Sequence, residues 1–147
     1  MMESKTVTGA AELGQMKTFT FNLQVYSEDT DTFGIVHHAN YIKFMERARL
    51  AWLWNLGLRI DHLFSEGIFF VIKKIEIKYL SAARLYDELE IISTVISMRR
   101  VSKVYLQIIR SKVDPSTEYC RATIEVVCVN NKLRPQAMPP ELLENRQ

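Results

Sequence analysis

Glycine is scarce in this chain. Its five positions, Gly9, Gly14, Gly34, Gly57 and Gly67, cannot form G-x-G-x-x-G or a Walker phosphate loop, which excludes nucleotide folds of those kinds. No G-x-S-x-G is present either, so a nucleophile-elbow hydrolase is excluded. No apolar run reaches the roughly 18 residues of a membrane-spanning helix. Residues Met1 to Thr8 lack a basic region followed by an apolar stretch, so no secretory signal is read and the expected location is cytoplasmic. The 19 basic and 17 acidic side chains nearly cancel, and no basic stripe interleaves with aromatics, which removes the electrostatic case for nucleic acid. Cysteine occurs only as Cys120 and Cys128, in one predicted strand. At ~3.3 Å per residue they stand roughly 26 Å apart, far beyond disulfide reach, and their even separation puts both on one face. Without a C-x-x-C spacing they read as buried, reduced thiols rather than a redox or zinc pair.

What is present is hydrophobic patterning of two periods. Residues 1–16 show neither and read as a flexible N-terminal extension. Over 17–26, Phe19, Phe21, Leu23 and Val25 alternate with polar residues, as in a half-buried strand. A helix is predicted from His38 to Leu56, closed by Gly57. Its apolar residues, from Tyr41, Phe44 and Met45 to Trp52 and Leu53, form a wide sector and predict a helix covered on most sides. A short second helix, Asp61–Glu66, starts at a capping Asp61 and stops at Gly67. Four strands follow, over 68–80, 87–98, 101–111 and 118–130. Their short links predict antiparallel hairpin neighbours. Pro135, Pro139 and Pro140 mark 131–147 as surface coil. The expected domain runs from 17 to 140, with a C-terminal tail over 141–147. The expected class is α+β: a curved five-stranded antiparallel sheet wrapped around one helix. Its unfinished edges call for self-association.

The chemistry concentrates in Glu28-Asp29-Thr30-Asp31-Thr32-Phe33-Gly34-Ile35-Val36-His37-His38-Ala39-Asn40-Tyr41. A helix start presents unpaired N–H groups and partial positive charge. A carboxylate held outside it can attack a carbonyl or activate water while those N–H groups hold the oxyanion. Such an acyl-transfer site needs neither a serine nor a metal. Asp31 is the favoured carboxylate, because it lies between a strand and a helix and precedes Gly34, where backbone can approach a ligand closely. Glu28 and Asp29 read as structural. Glu46, in mid-helix, is a second choice that more often pairs with Arg47 or Arg49. His37 and His38 are adjacent and only His62 remains elsewhere, too few for a metal site. His38 instead reads as a substrate-orienting group through its ring or its amide. Asn40 fits a helix cap first and a substrate contact second; Tyr41 joins Gly34 and Asn40 as a candidate substrate contact. Trp52 and Trp54 read as core or interface. Lys73, Lys74, Lys78, Arg84, Arg99, Arg100 and Lys103 read as solvated strand charges, none assigned to substrate phosphates.

The run Val25-Tyr26-Ser27-Glu28-Asp29-Thr30-Asp31, with Gly34 to Tyr41 and Phe44-Met45-Glu46-Arg47-Ala48-Arg49, resembles the YbgC-type acyl-CoA thioesterases. These belong to the hotdog superfamily named after 4-hydroxybenzoyl-CoA thioesterase and are associated with the Tol-Pal envelope system. Matches continue through Ile75 to Tyr79, Ala83-Arg84-Leu85, Glu125 to Val129 and Arg134-Pro135. The resemblance implies a sheet-wrapped helix, homodimers joined through the sheet or homotetramers, and hydrolysis of acyl-CoA without a cofactor. It implies Asp31 as the catalytic carboxylate and the main-chain amide of His38 as the group near the thioester carbonyl. Some members associate with acyl carrier protein. Many relatives carry Tyr where this chain has Ser27, so any role of that tyrosine is without its side chain here. A non-catalytic acyl-CoA or acyl-carrier-protein binding protein is the alternative. A hotdog dehydratase is disfavoured, since Ala39-Asn40 follows His37-His38 with no proline nearby.

Overall fold

Period-two alternation places five segments in one antiparallel sheet. The computed structural model describes residues 18–144, so the expected extension 1–16 lies outside the described residues. The strands are β1 (Thr18–Gln24), β2 (Phe69–Tyr79), β3 (Glu88–Met98), β4 (Ser102–Ser111) and β5 (Glu118–Val129), in spatial order β1-β3-β4-β5-β2. Tight links make β3–β4 and β4–β5 hairpin neighbours, as expected. The link from β2 to β3 departs from expectation: β2 pairs with β5 at the far side of the sheet. A link of about eight residues reaches roughly 27 Å, ample for three strand spacings of about 4.8 Å. Register shifts at Ile72/Lys74, Val95/Ser97 and Ile109/Arg110 are bulges that bend the sheet into a trough.

The helix in that trough is α1 (His38–Asn55). Its buried residues, Tyr41, Phe44, Met45, Ala48, Trp52 and Leu53, follow the spacing of one helical face. Phe44 and Met45 are essentially inaccessible, each stabilising by roughly 1.5–3 kcal/mol through burial. The remainder of the apolar sector is not covered: Leu50 is exposed and Trp54 is 67% exposed, with the Arg59 guanidinium 5.7 Å above its ring. The expectation of a helix covered on most sides therefore fails within one chain, because a single sheet layer touches one face only. The helix ends where Gly57, at φ 84°, admits the left-handed turn. Leu58 N–H donates to the Leu53 carbonyl and Gly57 N–H to that of Trp54, satisfying two orphan carbonyls.

Helix α2 (Ile60–Ser65) follows, with Asp61 inside its first turn rather than capping it. The Asp61 carboxylate is held by Arg59 through bonds of 3.1 and 2.6 Å. Beyond β5 the expected coil contains α3 (Pro140–Glu144). Met138 and Leu142 are buried with Leu53 and Cys128 in a small second core. Here apolar burial outweighs the proline signal. Cys120 and Cys128 are both buried and unbridged, and burial pushes the Cys120 thiol up to about 12.

β4 carries the least expected feature. Lys103, Tyr105, Gln107 and Ile109 are its buried set, whereas Val104, Leu106 and Ile108 are only partly covered on the outer face. Gln107 Nε2 donates to the Met45 carbonyl (3.0 Å) and to Ser93 Oγ (2.8 Å), and its Oε1 accepts from Arg49 Nη1 (2.8 Å). This satisfied network draws α1 onto the middle of the sheet and turns Arg49 inward. Lys103, read from the sequence as a solvated charge, is 5% exposed.

Candidate active site

Polar side chains with short reach dictate the loop between β1 and α1. Asp29 is buried, with its Oδ2 accepting the Tyr26 N–H at 2.9 Å, which closes the 3₁₀ turn Ser27–Asp29. Its carbonyl accepts the His37 N–H (3.1 Å) and Asn40 Nδ2 (2.7 Å), pinning the loop to the helix entry. Thr30 then pairs with Val36 in an antiparallel bridge, making a miniature hairpin with Asp31 at its tip. The Asp31 N–H donates to the Ile35 carbonyl at 2.9 Å and the Gly34 N–H to the Asp31 carbonyl at 3.1 Å.

The Asp31 carboxylate is asymmetric. Oδ1 accepts from the Phe33 N–H at 2.8 Å and the Ile35 N–H at 3.4 Å. Oδ2 has no hydrogen-bond partner among the described residues and belongs to an exposed side chain. One oxygen fixes the group, and the other makes no bond among the described residues. Gly34, at φ 77°, makes the tip possible, and its carbonyl accepts the Leu85 N–H at 3.0 Å. A Cβ there would meet open space, so only backbone strain opposes it. Gly34→Ala should therefore cost about 1 kcal/mol and lower the thermal midpoint by about 3 °C. A midpoint equal to wild type would show that the turn carries no strain.

At the helix entry the cap is His37, not Asn40: His37 Nδ1 accepts the Ala39 N–H at 3.2 Å, and Asn40 is spent on Asp29. His37 takes the cap because it directly precedes the first helical residue, whereas Asn40 already lies within the first turn. The exposed His38 ring stacks on His37 at 4.4 Å, and its carbonyl accepts from the Tyr79 hydroxyl at 3.1 Å. The His38 N–H finds no acceptor among the described residues and stands as a free donor at the positive end of α1. Tyr41 is a core residue in this structure, 3% exposed, its hydroxyl accepting the Ala83 N–H at 3.0 Å. Burial raises its pKa above the usual phenol value. The structure thus holds Asp31 and Gly34 in the turn closed by the Thr30–Val36 bridge, starts α1 two residues later at His38, half-buries Asn40 and withdraws Tyr41. Among the described residues no three His, Cys, Asp or Glu side chains group as metal ligands.

A second feature was not singled out from the sequence. A cavity of about 330 Å³ lies between α1, α2, β2 and β4, with Leu53, Phe70 and Val126 on its walls and Leu50, Phe64 and Ile72 at its exposed mouth. Glu46, Arg49, Lys103 and Tyr105 also line it. Glu46 makes no ion pair with Arg47 or Arg49 among the described residues, contrary to expectation. The alternation of Lys103 with Tyr105, Gln107 and Ile109 was the available signal, since an inward Ile109 carries the whole set inward.

The model of the thioesterase-like superfamily matches residues 25–145. The chain belongs to that superfamily. It is 38% identical over 126 residues to the acyl-CoA thioester hydrolase YbgC of Escherichia coli, spanning 85% of this chain and 92% of that protein. The acyl-CoA thioesterase YbgC of Haemophilus influenzae is 36% identical over 127 residues, 84% of this chain and 90% of that one. The crystal structure of a probable thioesterase from Bartonella henselae has a TM-score of 0.78 at 28% identity, covering 84% of this chain and all of the other. The five-stranded sheet around an 18-residue helix is the thioesterase superfamily's hotdog fold, α+β as expected.

Proposed function

We propose that this thioesterase-superfamily protein hydrolyses acyl-CoA thioesters to the free acid and CoA, with Asp31 as its carboxylate. The observation that carries the reading is the half-tethered Asp31 side chain, whose Oδ2 has no partner among the described residues, on the loop that leads into a helix whose first amide is likewise unclaimed among them. The named activity of the YbgC relatives supports it. Two routes use the same atoms. As a base, Oδ2 takes a proton from water while the water oxygen bonds to the thioester carbon. As a nucleophile, Oδ2 bonds to that carbon itself, and water later cleaves the anhydride. In both, the carbonyl oxygen gains charge opposite the His38 N–H, and the C–S electrons leave on sulfur, which is protonated as CoA thiol. A single oriented donor of this kind is worth about 3 kcal/mol in the transition state.

The reading includes a homodimer through β2, which is an unpaired edge with exposed Val71 and Ile72. Antiparallel pairing of β2 with its copy sets the Phe70 end of one protomer beside the Tyr79 end of the other. The cavity of one protomer then continues the Asp31 site of its partner. Two buried, unbridged thiols fit a reducing cytoplasmic setting. The test is thiol release from a panel of acyl-CoAs, and from the same acyl groups on acyl carrier protein. Release well above the uncatalysed rate is expected. Tight acyl-CoA binding with no release would make this an acyl-binding protein instead.

A further inference from the structure

The cavity between α1, α2, β2 and β4 contains a cation without a counter-charge. Lys103 is 5% exposed, and no carboxylate lies within ion-pair distance of it among the described residues. Its Nζ sits 4.8 Å from the centre of the Tyr105 ring. Lysine is almost never buried unless paired, because the ammonium loses its hydration without compensation. Arg49, on α1, adds a second positive group to the lining, with one guanidinium N–H committed to Gln107 at 2.8 Å. The acidic lining residue is Glu46, exposed on α1 and paired with neither cation among the described residues. The rest of the lining is largely apolar.

Apolar walls with a dry cation among them suit a ligand with a hydrocarbon body and an anionic end. No carboxylate among the described residues pairs with Lys103, and the cavity is the space through which a ligand's charge can reach it. We propose that this cavity receives the distal end of an acyl group bearing a terminal carboxylate, with Lys103 as its counter-charge. The proposal rests on the acyl-CoA hydrolase reading and on the antiparallel pairing of β2 with its copy. In that arrangement the thioester lies at Asp31 of one protomer and the acyl group runs into the cavity of the other. The preferred substrates are then acyl-CoAs of dicarboxylic acids, and a plain aliphatic chain of equal length leaves Lys103 unpaired.

Adipoyl-CoA and hexanoyl-CoA share a six-carbon acyl group and differ by the terminal carboxylate, so the ratio of their kcat/KM values isolates that group. A charge-assisted hydrogen bond to a buried ammonium supports a preference of about 10- to 100-fold for adipoyl-CoA in the wild type. Lys103→Met should abolish the preference, mainly through KM for adipoyl-CoA, and Lys103→Arg should restore part of it. A wild-type ratio at or below one overturns the proposal, as does a ratio unchanged by Lys103→Met. An unchanged ratio with a weakened dimer would assign the lysine to the subunit contact and equally overturn it. Should neither thioester be hydrolysed, the full panel of acyl-CoAs decides the hydrolase reading. Calorimetric binding of the same two compounds then decides the cavity, tighter adipoyl-CoA lost in Lys103→Met supporting it and equal binding refuting it.

Discussion

Asp31→Asn is expected to lower kcat by about 10²- to 10⁴-fold, the range for losing a positioned base or nucleophile, with little change in the thermal midpoint. The two effects separate because the carboxylate has two jobs on two oxygens. Oδ1 accepts from Phe33 and Ile35 and so shapes the loop tip. The asparagine carbonyl oxygen keeps both bonds. At the Oδ2 position it offers an NH₂ group, which neither accepts a proton from water nor attacks a carbonyl carbon. Asp31→Ala removes both jobs and should lower turnover and loop stability together. Steady-state thiol release and thermal unfolding of the two variants test this. Wild-type turnover in Asp31→Asn would remove Asp31 from the reaction, whereas an equal loss of stability in both variants would make it a loop residue only.

The second large effect concerns stability. Lys103→Met should stabilise the fold by up to about 3 kcal/mol at neutral pH, the free-energy equivalent of the depressed lysine pKa. Burial, reinforced by the nearby Arg49 guanidinium and opposed by Cys128, brings the Lys103 ammonium down from 10.5 to about 8. The sign follows from proton counts. Below about pH 8 the lysine is charged in both the folded and the unfolded chain, and the burial penalty is fully in force. Between about 8 and 10.5 the folded chain has released the proton and the unfolded chain has not. Stability therefore rises with pH across that window and the penalty is gone above it. Methionine has similar length and no charge, so the gap between variant and wild type should be widest below pH 8 and close by about 10.5. Denaturant unfolding at pH 7 and pH 10 measures it. A variant no more stable than wild type at pH 7 would mean that Lys103 already has an unseen counter-ion. Stability surrendered at one inward lysine is the pattern of a residue kept for what it binds.

Much of the architecture was legible because both periods were clean. Phe19, Phe21 and Leu23 alternate, and they pack against the core as β1. The start of α1 at His38 and its stop before Gly57 follow from capping rules that need only local chemistry. The turn that holds Asp31 was legible for the same reason: a carboxylate before glycine and a helix entry is a local pattern. The β2–β3 crossover was not, because link length limits reach without choosing a partner, and β2 finds its partner in β5. Lys103 was misread because alternation gives two faces without saying which is inside. On β4 the network of Gln107 with Ser93 and Arg49 outweighs the cost of turning polar groups inward. Tyr41 and Asn40 lie in the same segment, yet the Tyr41 hydroxyl accepts from Ala83 and Asn40 Nδ2 donates to Asp29, which only the folded chain reveals.

The crossover also ties the Asp31 loop to residues distant in sequence. The hairpin that presents Asp31 leans on Ala83, Arg84 and Leu85, and these lie on the strap between β2 and β3. Both ends of that strap run into strands at opposite positions in the sheet, β2 at one edge and β3 beyond β5 and β4. The Asp31 carboxylate is held within its own hairpin by Phe33 and Ile35. The strap therefore seats the hairpin as a unit, and the placement of that loop is tied to the sheet as a whole.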